Sequence, residues 1–176
     1  MKKLMIVMIM ILAIAVVAMA QDKPAAPASE KAKFTYVGAE KCKICHKAQY
    51  EAWSATKHAK AFDVLKPEEQ AKPECTKCHV TGATAEGTAL NNVQCEACHG
   101  AGSEYKKLTI MNKAKWAADP VAYKKMAVEA GLVYPVEANC VKCHTKEGNA
   151  NFKEFTFATM KGKVHPVKVA ADSTKK

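Results

Sequence analysis

Four copies of one pentapeptide pattern constrain this chain more than any other feature of its sequence. The pattern is Cys-x-x-Cys-His, and its copies begin at Cys42, Cys75, Cys95 and Cys140. They use all eight cysteines of the 176-residue chain, although the composition predicts only about 0.01 copies by chance. Two thiols three residues apart can form thioethers to the two vinyl groups on one edge of a porphyrin, and the next His can then reach the iron. The sequence therefore predicts four covalently attached haem c groups.

The predicted attachment sites and proximal iron ligands follow from this pattern. The thioether-forming residues are Cys42, Cys45, Cys75, Cys78, Cys95, Cys98, Cys140 and Cys143, and the proximal ligands are His46, His79, His99 and His144. A zinc site has no use for a His at the same offset in every copy. A thioredoxin-like motif would occur once, and a disulfide framework would pair more widely separated cysteines.

The first twenty residues have the features of a secretory signal peptide. Lys2 and Lys3 precede an uninterrupted apolar run, and Ala18-Met19-Ala20 provides a cleavage site before Gln21. An uncleaved membrane anchor is the alternative, although the apolar run is slightly short for a membrane span. Because haem c is attached after export, we expect a periplasmic protein, with an extracellular location also open.

The remaining chain divides into three predicted parts. Residues 21–33 are rich in Pro, Ala and Lys and predict a flexible linker, residues 34–166 form the haem-binding domain, and residues 167–176 predict a disordered tail. Five Phe, five Tyr and two Trp exclude a large aromatic core. The porphyrin faces must then supply the core, so the expected fold is mainly α, a small multihaem cytochrome c fold of short helices and loops wrapped around four haems.

Local patterns predict individual elements. Residues 40–53 have helical spacing and include the first haem motif. Asp119 and Pro120 begin a second helix that Gly131 ends, and its predicted apolar stripe consists of Val121, Met126, Ala127 and Ala130. Residues 67–70 suggest a further short helix. Residues 80–94 are predicted to form a loop, and no alternating strand pattern is evident.

The charge balance favours haem binding over nucleic-acid binding. The formal net charge is +10, yet all 27 basic residues are Lys, and Arg normally supplies bidentate contacts to bases and phosphates. Four haems would add about eight propionate charges that offset the excess. Five lysines surround the first haem motif and either steer an acidic partner or form a solvated helix face: Lys41, Lys43, Lys47, Lys57 and Lys60.

The number of histidines limits the distal iron ligands. Of six His, four are proximal, which leaves His58 and His165 for the opposite faces. At most two haems can therefore have two His ligands within one chain. Met111, Met126 and Met160 are further candidates; Met126 fits packing better, and Met111, in a loop-like stretch after the third motif, is better placed as a ligand.

Three segments resemble the cytochrome c-554 family of tetrahaem electron carriers. They are Tyr36-Val37-Gly38, the Trp53 to His58 region, and Val-Gln-Cys-Glu-Ala-Cys-His-Gly-Ala-Gly-Ser at 93–103. The resemblance implies a mostly helical fold with haems in stacked pairs. It also implies that His58 ligates the haem at Cys140 and Cys143, that His165 ligates the haem at Cys95 and Cys98, and that the second haem lacks a strong distal ligand.

Two positions depart from the family. Ala101 stands where the family usually has Pro, and Tyr105, Lys106 and Lys107 occupy the stretch where it carries a His ligand for the first haem. Met111 is therefore our candidate sixth ligand for the first haem, with Tyr105 or an open site as alternatives.

The leading functional hypothesis is an electron carrier without catalytic residues. It would exchange single electrons with other redox proteins, such as cytochromes and quinol-linked or terminal reductases and oxidases, as a monomer or weak oligomer. Nucleic acid is not an expected partner, and contact with a membrane is expected only through an uncleaved signal segment. One alternative is an enzyme that reduces a small nitrogen oxide or peroxide at the second haem. Another is a subunit of an extracellular haem filament.

Overall fold

The structure, a computed structural model, describes residues 34–165. The predicted signal peptide, linker and tail lie outside the described residues, so they stay predictions. Within residues 34–165, no helix has the length and apolar character needed to cross a membrane.

Short helices separated by irregular chain dominate the described residues. In chain order they are α1 (Ala39–Lys43), α2 (Lys47–Ser54), α3 (Pro73–His79), α4 (Cys95–His99), α5 (Lys113–Ala118), α6 (Pro120–Glu129), α7 (Glu137–Cys140) and α8 (Phe157–Met160), with 3₁₀ turns at His58–Lys60 and Lys161–Lys163. The prediction of a mainly α fold is confirmed. Few of these helices exceed two turns, as expected where helices serve to present side chains to a cofactor.

The helix predicted over residues 40–53 is two helices in the structure. α1 ends at Lys43 and α2 begins at Lys47, because His46 leaves helical geometry with φ −115° and ψ 46°. The spacing of apolar residues gave no sign of this break, since the apolar positions on either side still follow a helical period. The prediction was therefore right about helical content and wrong about continuity.

The helix at Asp119 begins and ends where the sequence predicts. The Asp119 side chain accepts a hydrogen bond from the Ala122 amide at 2.9 Å, Pro120 is the first helical residue, and Gly131 adopts φ +100° beyond the end. The predicted apolar stripe is only partly correct. Ala127 is fully buried, whereas Val121 is 78% exposed and Met126 is 41% exposed.

A small hairpin replaces the loop predicted over residues 80–94. Strands β1 (Val80–Ala83) and β2 (Ala89–Asn91) pair antiparallel, so the prediction that the segment contains no strand was wrong. Three or four residues are too few to display a clear alternation of polar and apolar side chains. The helix suggested at 67–70 was also wrong: this stretch is a turn, in which the Glu69 carboxylate accepts from the Lys66 amide at 2.8 Å.

Few side chains are buried. A segment of six residues, here called the strap (residues 34–39), contains or contacts several of them, including Ala39, Leu90 and Glu96. The buried side chains among the described residues are Ala39, Trp53, Thr81, Leu90, Glu96, Tyr105 and Ala127. The strap pairs with Thr84 through Tyr36, and its Thr35 amide donates to Ser103 Oγ at 3.1 Å. The protein core is thus small, in line with the prediction that the cofactor supplies the rest.

Candidate haem-binding site

Each Cys-x-x-Cys-His copy is folded into a single helical turn. In the first and fourth copies the His46 and His144 amides donate to the carbonyls of Cys42 and Cys140, at 2.9 and 3.0 Å. The second copy closes α3, and the third copy constitutes α4. Residues three or four apart lie on one helix face, so each turn presents two sulfurs and one imidazole to the same side. All eight cysteines, which lie within residues 34–165, are free thiols.

Two of the proximal histidines are held in the tautomer that leaves Nε2 available. His99 Nδ1 lies 3.1 Å from the Val133 carbonyl, and His79 Nδ1 is hydrogen-bonded to the Ala61 carbonyl. A carbonyl oxygen only accepts, so both rings donate from Nδ1 and keep a lone pair on Nε2. This is the arrangement found in metal-binding histidines, whose second nitrogen is fixed by a carbonyl or carboxylate.

Two histidine pairs have the spacing that a shared metal ion requires. The ring centroids of His58 and His144 are 6.0 Å apart, and those of His99 and His165 are also 6.0 Å apart. One imidazole nitrogen from each ring at a metal–nitrogen distance of about 2 Å would separate the centroids by roughly 6 Å. The two remaining histidines therefore lie opposite the fourth and third proximal ligands.

Burial favours the neutral form of one ring in each pair, His58 and His99. It lowers the pKa of His58, and the neighbouring His144 lowers it further. The pKa of His99 is likewise lowered by burial, which outweighs the opposite effect of the Val133 carbonyl. Neutral imidazole is the form that binds a metal, so the environment favours ligation before any metal arrives.

Hydrogen bonds to the hairpin end position His58. The Val93 amide donates to the His58 carbonyl at 3.0 Å, and the Phe62 amide donates to Asn92 Oδ1 at 2.7 Å. Trp53 Nε1 donates to the Val93 carbonyl at 2.8 Å. The 3₁₀ turn that carries His58 is therefore tied on both sides to the chain just before the third motif.

The four motifs contact one another in a defined order. Cys42 of the first motif lies close enough to Cys95 of the third for Cys95 to raise its pKa, and Cys78 of the second motif, after burial, raises the pKa of Cys143 of the fourth. Cys98 of the third motif also lies close enough to the fourth for Cys140 to contribute to raising its pKa, after burial. The order of neighbours along the molecule is therefore first, third, fourth and second.

The first and second proximal histidines have no such ring opposite them. All six His lie in the described part of the chain, and there no histidine ring stacks on or meets edge-on the ring of His46 or His79. Met111 is partly exposed in a turn where its amide donates to the Lys107 carbonyl. Met126 and Met160 are 41% and 37% exposed.

Tyr105, an alternative ligand for the first haem, is engaged elsewhere. It is 7% exposed, and its hydroxyl donates to the Gly100 carbonyl at 3.0 Å. Burial, followed by the charges of Cys42 and Glu96, raises the pKa of Tyr105. Ligation as a phenolate would break this hydrogen bond and oppose that shift.

Sequence reasoning did not assign a role to Glu96, which the structure makes prominent. This residue lies between the two cysteines of the third motif, is 1% exposed, and accepts hydrogen bonds from the amides of Val37, Gly38 and Gly102. The only signal in the sequence was its position, directly between two cysteines predicted to attach one porphyrin.

Four turns that each present two thiols and an imidazole to the same side define a c-type cytochrome.

Comparison with known proteins identifies a similar family and a similar protein. The family model described as "Cytochrome c554 and c-prime" matches residues 41–100. Cytochrome c-554 of Nitrosomonas europaea is 30% identical over 134 aligned residues, covering 62% of this chain and 57% of the relative, so the chain spans little more than half of that protein's length. The solved reduced state of cytochrome c554 from Nitrosomonas europaea is 27% identical, with a TM-score of 0.49, and covers 74% of this chain and 83% of the solved one. Over the residues matched, the chain is similar to the cytochrome c554 family, which confirms the resemblance and supports covalently bound haem c.

Proposed function

We propose that this chain is an exported electron carrier with four haem c groups that works in the periplasm. The observation that carries the proposal is the presence of two histidine pairs, each with ring centroids 6.0 Å apart, opposite two Cys-x-x-Cys-His turns. When bound, haem iron supplies one-electron chemistry between its ferric and ferrous states. The protein holds the groups at short range and sets their potentials.

The ligand set follows from the pairs. We assign His144 and His58 to the iron of the group at Cys140 and Cys143, and His99 and His165 to that at Cys95 and Cys98. His46 and His79 ligate the other two irons from one side. Met111 remains our candidate for the far side of the first iron, and the second iron has no assigned distal ligand.

The order of motif contacts supports a relay. Cys42 lies beside Cys95, Cys78 lies beside Cys143, and the third and fourth motifs are neighbours. Groups attached at these positions would form a continuous chain from the first motif, through the third and fourth, to the second. Electrons would enter and leave at the two ends.

The exposed lysines around the first motif support docking of an acidic redox protein there. Ile44, between the two cysteines of that motif, is 78% exposed, and Cys45 and His46 are also exposed. Lys43 and Lys47 are ion-paired with Glu40 and Glu51 at 3.5 and 3.7 Å. Lysines arranged around an exposed electron entry point accelerate encounter with a negatively charged partner, an effect that salt reduces.

One observation favours a second candidate, an enzyme that reduces a small nitrogen oxide or peroxide at the second motif. The His79 ring is fixed by the Ala61 carbonyl, and no histidine ring among the described residues faces it. Small ligands could then reach that iron.

Low-temperature electron paramagnetic resonance of the ferric protein, with and without nitric oxide, separates the two functions, and mass spectrometry counts the haems. Four low-spin haem signals that do not change when nitric oxide is added would support the electron carrier. A high-spin signal that responds to nitric oxide supports the enzyme and calls for turnover assays. A mass that accounts for fewer than four haems would contradict the proposal.

The first prediction tests the His58 assignment. His58→Ala should convert one low-spin haem to high-spin while all four haems remain attached, because the iron loses one axial nitrogen. The readouts are the ferric absorption spectrum and the haem mass. Lys60→Ala, on the same 3₁₀ turn, is the matched control and should leave the spectrum unchanged. An unaltered spectrum in His58→Ala would refute the assignment.

A further inference from the structure

Glu96 is an isolated acid in the interior. Among the described residues it is the only buried side chain with a carboxyl or amino group, and it is 1% exposed. Its Oε1 accepts from the Gly102 amide at 2.6 Å, and its Oε2 accepts from the Gly38 amide at 2.7 Å. The Val37 amide lies 3.0 Å from both oxygens. In the described part of the chain, no lysine ion-pairs with it.

This set of partners selects the ionised form of the side chain. Every partner is an N–H donor, and a carboxylate is acceptor-only, whereas a carboxylic acid would need an acceptor for its proton. Gly102 permits the close approach, since a Cβ there would lie 2.9 Å from Oε1. The molecule therefore encloses a negative charge that is stabilised by backbone dipoles and not neutralised by a cation.

The charge lies where two haem attachment sites meet. Glu96 follows Cys95 directly in the chain, and Cys95 lies beside Cys42 of the first motif. The pKa of Cys42 is raised by the adjacent Cys95 thiol, by burial and by the charge of Glu96, while Lys106 acts in the opposite direction. The carboxylate is thus within electrostatic range of both first cysteines, one from the first motif and one from the third.

We infer that Glu96 lowers the reduction potentials of the two haems attached at Cys42/Cys45 and Cys95/Cys98. The inference rests on the proposed function, because it concerns four haems that exchange electrons. Ferric iron carries one more positive charge than ferrous iron, so a nearby buried anion stabilises the ferric form. Burial limits screening by salt, which gives this one carboxylate a larger effect than the exposed acidic residues. Glu96 is a positioning residue for the strap and, in addition, a determinant of potential.

The test is a potentiometric titration of the purified holoprotein carrying Glu96→Gln. We expect two of the four reduction equilibrium constants to rise by about tenfold, which is 59 mV for one electron. The other two should move less, and the rise should persist at high ionic strength. The haem at Cys95/Cys98 is identified as the low-spin species that His165→Ala removes.

Ser103→Ala is the matched structural control. It removes the bond that Ser103 Oγ accepts from the Thr35 amide at 3.1 Å, which also holds the strap, but it changes no charge. We expect a lower melting temperature and wild-type potentials. If Ser103→Ala raises the same two potentials as Glu96→Gln, strap loosening is the cause and the inference is wrong.

Gln94→Glu keeps the inference testable if Glu96→Gln does not assemble. Gln94 Oε1 accepts from the Ala39 amide at 2.8 Å, at the far end of the strap, so the variant adds a second carboxylate beside the first and third motifs. At least one of the same two potentials should fall. Unchanged potentials in either folded variant would overturn the inference. The proposed function fails separately, if the wild-type protein lacks four haems by mass or shows no reversible redox transitions.

Discussion

The strap and its partners differ sharply from the segment at residues 137–165 in how they are held. Around the strap, side chains such as Trp53, Leu90 and Glu96 are buried and hydrogen bonds join residues far apart in sequence. In residues 137–165 no residue is buried. The backbone–backbone hydrogen bonds that the amides of residues 139–160 donate all reach carbonyls within residues 136–160, so these hydrogen bonds are local. One region has a protein core of its own, and the other does not.

The second region meets the rest of the chain through the proposed haem ligands and attachment residues. Its contacts include the ring pairs of His58 with His144 and of His99 with His165, and Cys143 lies close to Cys78. Phe155 stacks on the His144 ring with centroids 4.5 Å apart. The proposed haems would therefore hold residues 137–165 in place, whereas the region around the strap also has buried side chains of its own.

The largest expected effect comes from removing the fourth attachment site. In Cys140→Ser/Cys143→Ser, amides of residues 137–165 should exchange with solvent at rates close to those of an unfolded chain, because no buried side chains remain to hold the segment. The strap amides of Val37 and Gly38 should stay protected. Hydrogen exchange followed by mass spectrometry measures both regions in one experiment.

Cys42→Ser/Cys45→Ser is the counterpart in the other region. There the strap should keep its protection, since Glu96 and Gln94 still accept from it. Equal loss of protection in both variants would break the comparison.

A smaller effect is expected from the two tryptophans, which make the same bond over different spans. Trp53 Nε1 donates to the Val93 carbonyl 40 residues away, whereas Trp116 Nε1 donates to the Ile110 carbonyl six residues away, both at 2.8 Å. Trp53→Phe should lower the free energy of unfolding by about 1 to 2 kcal/mol. Trp116→Phe should cost less than about 1 kcal/mol, because its bond is local. Denaturant titration of the two holoprotein variants measures both free energies of unfolding. Equal losses in the two variants would contradict the larger stabilising role assigned to Trp53.

The smallest expected effect lies at the surface, where the Tyr50 hydroxyl donates to Glu40 and joins α2 to α1. This bond lowers the pKa of Glu40, and Lys43 lowers it further. A depressed folded pKa gives stabilisation that is present above the unfolded value of about 4.3 and is lost as the pH falls through the folded pKa. Tyr50→Phe should therefore lower the melting temperature slightly at pH 7. By pH 3 the difference from wild type should be smaller, and a difference that grows in acid would contradict this account.

The residues that attach and ligate the haems could be proposed from the sequence, whereas several features of the chain's packing could not. The attachment cysteines, their histidines and the partners of His58 and His165 follow from a repeated motif, a count of six His and a family resemblance. The α6 boundaries were also predictable, because Asp119, Pro120 and Gly131 each act on the backbone locally. The break at His46 and the hairpin were not, since the apolar spacing continues across the break and strands of three or four residues are too short to show an alternation. The role of Glu96 was hidden for a different reason: its donors are amides, and an amide is present at nearly every position.

The strap has a consequence for the timing of maturation. Thr35 and Val37 bond to residues 68 and 59 positions later in the chain. In a polypeptide that emerges N-terminus first, these two bonds cannot form until the third motif has followed the strap. Contacts of such long sequence separation also form slowly. The first Cys-x-x-Cys-His turn would therefore stay accessible to haem attachment while the second and third emerge, and the bonds from the strap to Glu96 and Ser103 would form afterwards.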